Sequence, residues 1–326
     1  MRALGSLRES LKLSLKLSLG KIMFIIKNKR IFISISIVLV LLSIVSLFVF
    51  GLRIGIDFKG GALVEVVYKT NRPAQSDLDA AFKALDFGSV LIQPTGELGY
   101  IVKSLDLNEA QHSLLLKTLS QDGKSPLEEK NFNSIGPSVG RELTRKAIIA
   151  IVLVSLAIIL FIAFAFRKVS HPSALGGQGV ASWKYGLMAV VSLLHDVIIP
   201  IGLFTILSRF YGSEVDTLFV VAALTILGLS VSDTIVIFDR IRENLRNKTG
   251  DSFGDTVGKS LDQSYMRSIF TSLTVIIVLL SLFFFGPEST KYFALMLTAG
   301  MFFGTYSSIF LASPLLVLVE EWQNKK

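Results

Sequence analysis

The chain has 326 residues, of which 51% are hydrophobic and only 18% charged, with phenylalanine at 24 positions. The charged residues lie between long uncharged stretches, as in integral membrane proteins, whose spans each need about 20 apolar residues. The net charge of +8 does not indicate nucleic-acid binding, because the basic residues cluster at the ends of the apolar stretches. The absence of cysteine excludes disulfides and thiolate metal sites.

Apolar segments predict a membrane bundle of six spans. The first, residues 31–50, carries no charge and lacks the cleavage site of a secretory signal. The short loops rich in Lys and Arg lie on the side of both termini, which predicts that both termini are cytoplasmic. The other five spans are predicted at residues 147–166, 186–207, 218–238, 268–285 and 292–319.

The polar segment between the first two spans is predicted to be a periplasmic domain. The alternating, valine-rich stretch ALVEVVYK (62–69) predicts a strand. The stretch SDLDAAFKAL (76–85) predicts a helix capped by Ser76. Further strands are predicted at 89–95, at 99–105 and within 129–135, and a second helix at 108–120. The order βαββαβ indicates a small α+β, ferredoxin-like sandwich.

These segments divide the chain into five regions. The N-terminal stretch LKLSLKLSL (11–19) alternates strictly, so it either lies on the inner leaflet through its lysines or is a disordered cytoplasmic anchor; the second reading is favoured. The regions are a cytoplasmic segment (1–30), the first transmembrane helix (31–52), the periplasmic domain (53–146), transmembrane helices two to six (147–319) and a cytoplasmic tail (320–326).

Asp233 is an acid within the fourth predicted span. Because a charge at membrane depth costs on the order of 3 kcal/mol on insertion, such a residue is by default functional or paired. The neighbouring Ser230 and Ser232 can hydrogen-bond to it, and Gly228 allows another helix to approach closely. Arg267, at the start of the fifth span, is the best candidate counter-charge. The pair is either a proton site or an inert packing pair, and we favour the first interpretation.

His195 and Asp196 lie within the third span, in LLHDVIIP. Histidine titrates near neutral pH, and a neighbouring carboxyl can take part in a proton relay. A histidine that is only hydrogen-bonded between helices is an equally good reading of His195. Asp196 is harder to explain without a function.

Small residues recur every four positions in the sixth span, at Gly300, Gly304, Ser308 and Ala312. This pattern lets helix backbones pack closely, either within the chain or against a partner. It predicts packing and no chemistry.

No pattern predicts an enzyme, a cofactor or a metal site. No glycine-rich loop precedes Lys and Ser or Thr, so a phosphate-binding loop is absent from the sequence. The stretch GIDFKGG, which contains Gly55, Asp57, Gly60 and Gly61, follows the first span directly. Its glycines are predicted to allow tight turns at the entry to the periplasmic domain. Any energy source is then the membrane gradient or a partner.

Six motifs in order along the chain carry a family resemblance. They are GIDFKGGALVEV after the first span, SIGPSVGREL before the second, LLHDVIIPIGLF, SVSDTIVIFDRIRENLR, SIFTSLTVIIVLL and GTYSSIFLASPLL. Together they resemble the SecF family, the smaller membrane subunits of the bacterial SecDF protein-export accessory complex. The matches extend over all six spans.

The resemblance implies a resistance-nodulation-division (RND)-type six-helix bundle that pairs with a SecD-like subunit. It also implies use of the proton-motive force to help a translocating preprotein leave the SecYEG channel. Asp233 and Arg267 match the acid and arginine of the family's fourth and fifth spans. Lys59 and Ser232 depart from the family's usual small hydroxyl residue and Asn, and the connection 170–181 is longer than usual.

The sequence therefore predicts a SecF-like, multi-pass subunit of the bacterial inner membrane that works with a SecD-like subunit, SecYEG, preprotein and membrane lipids. Protonation of Asp233 is expected to alter helix packing and tilt the periplasmic domain. Two alternatives are half of an RND-type small-molecule exporter and a non-transporting assembly factor. A single half with one small external domain disfavours the exporter.

Overall fold

The computed structural model describes residues 23–85, 90–165 and 182–324. The stretch 11–19 and the connection 170–181 lie outside these residues. The helices are α1 (Lys29–Phe50), α2 (Ile56–Lys59), α3 (Gln75–Ala84), α4 (Glu109–Leu119), α5 (Pro137–Ala165), α6 (Ser182–Tyr211), α7 (Thr217–Arg246), α8 (Phe253–Phe285), α9 (Glu288–Ser307) and α10 (Ser313–Asn324), and the strands are β1 (Gly61–Tyr68), β2 (Leu91–Thr95), β3 (Gly99–Ser104) and β4 (Leu127–Ile135).

The chain divides into two compact units, each described by itself. The bundle unit comprises Met1–Leu52, Ile151–Ser213 and Leu218–Lys326. The sheet unit comprises Arg53–Ala150 and the short segment Glu214–Thr217. Two helices, α5 and α7, begin in the sheet unit and continue into the bundle unit.

Six helical segments of the described chain are long and apolar enough to cross a membrane, which confirms the predicted number of spans. They are α1, α5, α6, α7, α8 and the combined segment from α9 to α10. Several run well beyond the predicted apolar stretch. For example, α8 begins at Phe253, where the Ser252 hydroxyl accepts a hydrogen bond from the Asp255 amide at 3.1 Å. A capped polar stretch from Phe253 therefore precedes the apolar part of this helix, which begins at residue 268.

The sixth span is interrupted by one π-helical turn, Ser308–Ala312, between α9 and α10. Pro314 follows the turn after one intervening residue and has no amide hydrogen, so the Phe310 carbonyl lacks its usual helical donor. The Ser313 hydroxyl donates to the Ser308 carbonyl at 3.0 Å. Residues 292–319 were predicted to form one regular span, so this turn was not predicted, although Pro314 in the sequence is typical of a break.

The sheet unit has a four-stranded antiparallel sheet in the order β2-β3-β1-β4, with α3 and α4 supplying apolar side chains to its core. This confirms the predicted α+β sandwich. Tyr68 lies in the core, where its hydroxyl donates to the Leu119 carbonyl at 2.9 Å. Burial, and secondarily the neighbouring Tyr100, raise the pKa of Tyr68 to about 12.

The two helices of the sheet unit begin differently. Helix α4 has a capping box, in which Asn108 and Gln111 each accept a hydrogen bond from the other's backbone amide. Helix α3 begins at Gln75 after Ala74, with no side-chain cap. The predicted Ser76 cap is therefore wrong: the helix starts before Ser76, whose hydroxyl lies 3.3 Å from Asp77 Oδ1.

Gly60 and Gly61 connect α2 to β1 and both have positive φ, 82° and 143°. A Cβ atom on Gly60 would lie 2.9 Å from Pro137 Cα, at the start of α5. These positions therefore require glycine for two reasons, backbone conformation and close approach.

Candidate functional site

Acidic and hydroxyl side chains meet in the interior of the bundle unit. Asp196 of α6 is fully buried, and its Oδ1 atom accepts a hydrogen bond from His195 Nδ1 at 2.8 Å. Its Oδ2 atom accepts from the Ser307 hydroxyl at 2.6 Å and from the Ser230 hydroxyl. Three donors on α6, α7 and α9 thus converge on one carboxylate, an arrangement that compensates for its removal from water.

The backbone next to Asp196 is also irregular in its hydrogen bonding. Pro200 lies inside α6, four residues further on. Because proline has no amide hydrogen, it cannot donate the usual helical hydrogen bond to the Asp196 carbonyl. The side chain and the main chain of Asp196 therefore both lie at a break in regular helical bonding.

His195 is buried against aromatic rings. Its ring stacks on Tyr306 with centroids 6.1 Å apart and meets Phe303 edge-on at 6.5 Å. With Nδ1 donating to Asp196, Nε2 is the second protonation site, and it has no hydrogen-bond partner within the described part of the chain. The structure therefore brings His195 and Asp196 into direct contact.

Asp233 of α7 is half-buried and faces α8 and α9. Its Oδ2 atom lies 3.4 Å from the Thr305 hydroxyl, which is in turn hydrogen-bonded to Ser272. Ser268 also lies beside the carboxyl group. The Ser268 hydroxyl is buried without a hydrogen-bond partner among the described residues. Hydroxyl groups, rather than a cation, are thus the immediate neighbours of Asp233.

Arg267 is exposed on α8 and forms no ion pair with Asp233 within 4.0 Å in the described ranges. It is near enough to act on the carboxyl group through its charge. The expected counter-charge is therefore present as a nearby cation, whereas a direct Asp–Arg contact is not formed.

The hydrogen-bond donors to the two acids lie close together on shared helices. Ser307, which donates to Asp196, lies two residues from Thr305, which faces Asp233. Ser230, which also donates to Asp196, lies one helical turn before Asp233 on α7. A displacement of α9 against α7 would therefore change the hydrogen bonds of both carboxyl groups.

The small-residue stripe of the sixth span packs against α7 within the chain. A Cβ atom added to Gly300 would lie 2.3 Å from Ile226 Cγ1, and one on Gly304 would lie 3.3 Å from Ser230 Cβ. One turn further, Ser308 and Thr234 are hydrogen-bonded through their hydroxyls at 3.0 Å. Contacts between the two helices thus recur every four residues along both the sixth span and α7. These contacts lie within the chain, which is one of the two kinds of packing that the sequence allowed.

Gly228 and Ser232 lie on a different face of α7 and are exposed in this chain. A Cβ atom added to Gly228 would have no atom within 4 Å. The expectation that Gly228 admits a neighbouring helix is therefore not met by any described helix of this chain, because this face of α7 points out of its own bundle. Ser232 likewise points away from the hydroxyl groups around Asp233.

Five hydroxyl residues of the site were not predicted from the sequence. Ser268 and Ser272 lie beside Asp233 or its partner, Thr305 and Ser307 contact the two acids, and Ser192 donates to the Ser307 hydroxyl at 3.0 Å. The motif GTYSS contained a signal for Thr305 and Ser307, since all four residues after Gly304 carry a hydroxyl group. Over the described ranges, no group of three or more His, Cys, Asp or Glu side chains is arranged to hold a metal ion.

The fold and the site together define a multi-pass helical membrane protein with carboxyl groups inside its bundle and a small α+β domain after its first span. A family model described as "Protein export membrane protein SecD/SecF, C-terminal" matches residues 115–177 and 180–322. A second, the "SecD/SecF GG Motif", matches residues 45–71.

Curated relatives give the subfamily. The protein translocase subunit SecF of Thermobaculum terrenum is 39% identical over 313 residues, covering 92% of this chain and 94% of the relative. SecF of Anaerolinea thermophila is 34% identical over 304 residues, covering 92% and 96%. The chain belongs to the SecF family of protein translocase subunits.

A solved structure supports the same fold. The crystal structure of SecDF, a translocon-associated membrane protein from Thermus thermophilus, matches with a TM-score of 0.75 and 28% identity. The match covers 92% of this chain but only 38% of that longer SecDF chain. The predicted RND-type architecture is thereby confirmed, and this chain spans well under half of the SecDF protein.

Proposed function

We propose that this chain is the SecF-type half of a Sec accessory transporter that uses the proton-motive force to promote preprotein export. The observation that carries the proposal is the pair of intramembrane acids, Asp196 and Asp233, which accept hydrogen bonds from Ser307 and Thr305, two hydroxyl residues close together on α9. Acidic side chains inside a membrane bundle mark ion or proton pathways by default. Membership of the SecF family of protein translocase subunits supports protein export as the process that such a pathway would drive.

The partner in this proposal is a SecD-like subunit. The matching SecDF chain is more than twice as long as this one, which is what a second half of similar size requires. The exposed face of α7 with Gly228 and Ser232 adjoins Asp233 and is suited to close packing against another helix. The SecD-like half then covers the proton site from the side that this chain leaves exposed.

The orientation follows from the distribution of positive charge. Lys and Arg concentrate in the loops on the side of the termini, which supports a cytoplasmic location for both termini and a periplasmic location for the sheet unit in a bacterial cell. From residue 147 onward α5 carries no charge and is mostly exposed, so membrane lipids are its natural surroundings. From the periplasm, the sheet unit can act on a preprotein that leaves SecYEG.

The proton acts by weakening the hydrogen bond that Asp233 accepts from Thr305. A charged carboxylate attracts the Thr305 hydroxyl roughly twice as strongly as a neutral acid does. Proton binding therefore loosens α9 at Thr305, and Ser307 carries the change to Asp196. One proton crossing 100 mV releases about 2.3 kcal/mol, enough to shift a two-state equilibrium by more than tenfold.

The test is preprotein translocation into membrane vesicles with and without a proton gradient. Asp233→Asn keeps the size and hydrogen-bonding capacity of the side chain but cannot change charge, so gradient stimulation should be lost while membrane abundance stays normal. Asp239→Asn is the matched control, because Asp239 is an exposed carboxylate on the same helix, 3.7 Å from Arg242. Normal gradient stimulation in a stable Asp233→Asn protein would refute the proposal.

A further inference from the structure

The segment that connects α6 to α7 is held by the entry motif of the sheet unit. Asp57, in α2, accepts a hydrogen bond at Oδ2 from the Thr217 amide at 2.8 Å. Thr217 is the first residue of α7, the helix that carries Asp233. A carboxylate from 160 positions earlier in the sequence thus caps the start of this helix.

The chemistry of this contact is that of a helix cap. The first four amides of a helix have no partner inside the helix, and a negative charge at that end interacts favourably with the helix dipole. The Asp57 carboxylate supplies both an acceptor and a negative charge. It therefore does for α7 what a local N-cap residue does for other helices.

Main-chain bonds hold the same segment to the residues just before Asp57. The Gly55 amide donates to the Val215 carbonyl at 2.8 Å, and the Val215 amide donates to the Arg53 carbonyl at 2.7 Å. A Cβ atom on Gly55 would lie 3.0 Å from the Val215 carbonyl oxygen, so this approach is close. Val215 therefore forms a single parallel β-bridge with Ile54.

A side-chain ion pair adds a third attachment. Lys103 Nζ of β3 lies 2.9 Å from Glu214 Oε1, and both side chains are largely buried, with 15% and 22% exposed. Residues 214–217 are consequently fixed at both ends, to the sheet by Lys103 and to α2 by Asp57. This is why they belong to the sheet unit while the rest of α7 belongs to the bundle unit.

We infer that Asp57 is a positioning residue that transmits changes at Asp233 to the sheet unit, an inference that rests on the proposed function. Helix α7 runs without interruption from Thr217 to Arg246, so a shift of α7 at Asp233 moves its first turn as well. Because Asp57 holds that turn, the sheet unit moves with it. Without Asp57, the Thr217 amide loses its attachment to α2, and the first turn of α7 can shift without moving the sheet unit.

The experiment measures this transmission directly in the full chain with its SecD-like partner. The chain has no cysteine, so Glu97→Cys in the sheet unit and Asn247→Cys after α7 can carry a fluorescent donor and acceptor without competing sites. The readout is the change in energy transfer that Asp233→Asn produces. It is compared in the parent chain, in Asp57→Ala, in Asp57→Asn and in Asp106→Ala, whose exposed carboxylate lies in the same unit.

Transmission should be present in the parent chain and in Asp106→Ala, and lost in Asp57→Ala. It should be largely retained in Asp57→Asn, because asparagine caps helices about as well as aspartate does. Hydrogen exchange at the Thr217 amide should also rise about tenfold in Asp57→Ala, as expected when a hydrogen bond to a charged group is lost. Unchanged exchange in β1 and β3 would show that the sheet unit remains folded.

Equal energy-transfer changes in Asp57→Ala and the parent chain would overturn the inference and leave the proposed function standing. A parent chain that does not respond to Asp233→Asn would overturn it as well. The proposed function is decided separately, by gradient-stimulated translocation with and without Asp233→Asn, so the two failures are distinguishable.

Discussion

Replacing Gly300 by alanine tests the packing of the sixth span against α7. The new Cβ atom would lie 2.3, 2.5 and 3.0 Å from the Cγ1, Cδ1 and Cγ2 atoms of Ile226. Ile226 is only 1% exposed and β-branched, so it has little freedom to rotate away. Overpacking of this kind costs about 1–3 kcal/mol. That cost exceeds the gain of up to about 1 kcal/mol from replacing glycine inside a helix.

Gly228→Ala is the matched control, because Gly228 lies on the same bundle with open space around it. It should be neutral or stabilising in the purified chain, whereas Gly300→Ala should be destabilising. The assay is unfolding by denaturing detergent in mixed micelles, followed by circular dichroism. Combining Gly300→Ala with Ile226→Ala should recover about 1–3 kcal/mol relative to the sum of the single changes. Equal stability of the two alanine variants, or strict additivity in the double variant, would show that the contact is not formed.

Two further predictions concern groups with defined partners. In the sheet unit, the raised pKa of Tyr68 means that the folded state keeps its proton while the unfolded state loses it, so stability should fall as pH rises from about 10 to about 12. Tyr68→Phe should remove that fall in stability. It should also cost about 1 kcal/mol at neutral pH, because the hydroxyl hydrogen bond is lost, as measured by hydrogen exchange in β1. The same loss of stability between about pH 10 and about pH 12 in Tyr68→Phe as in the parent chain would contradict this prediction. In the bundle unit, Asp196→Asn should reduce membrane abundance more than Asp233→Asn does, because three donors converge on Asp196. Quantitative immunoblotting of membranes measures this abundance. Equal abundance of the two variants would argue against the convergent site.

The number of spans and the order of the sheet unit were predictable because each depends on local pattern. Uncharged stretches of spanning length are visible without any tertiary information, as is the alternation of valine in β1. Asp233 and Asp196 were found in the same way, since an acid in an apolar stretch is unusual by itself. The start of α3 was placed wrongly because Ser76 is a good cap by residue type alone, while the backbone turns into the helix one residue earlier.

The partners of the acids depend on how helices face each other, which one sequence does not determine. Arg267 was the natural counter-charge by depth in the membrane, yet it lies on the exposed side of α8, and the Thr305 hydroxyl donates to the Asp233 carboxyl group at 3.4 Å. Gly228 illustrates the same limit. Its type indicated close packing, but only the rotation of α7 shows that it faces outward.

The π-helical turn at Ser308–Ala312 sets how the sixth span tolerates insertions and deletions. Side chains spaced by four residues drift about 40° per step around a regular α-helix, so a stripe from Gly300 to Leu316 would turn about 160° and leave its contact face. Both ends of this stripe are nevertheless buried, because the wider turn takes up one extra residue and cancels much of the drift. Deleting one residue within the turn would rotate α10 by about 100° and expose Leu316. The same deletion in a surface loop would have no such effect, so natural length variation in this span should be confined to its ends.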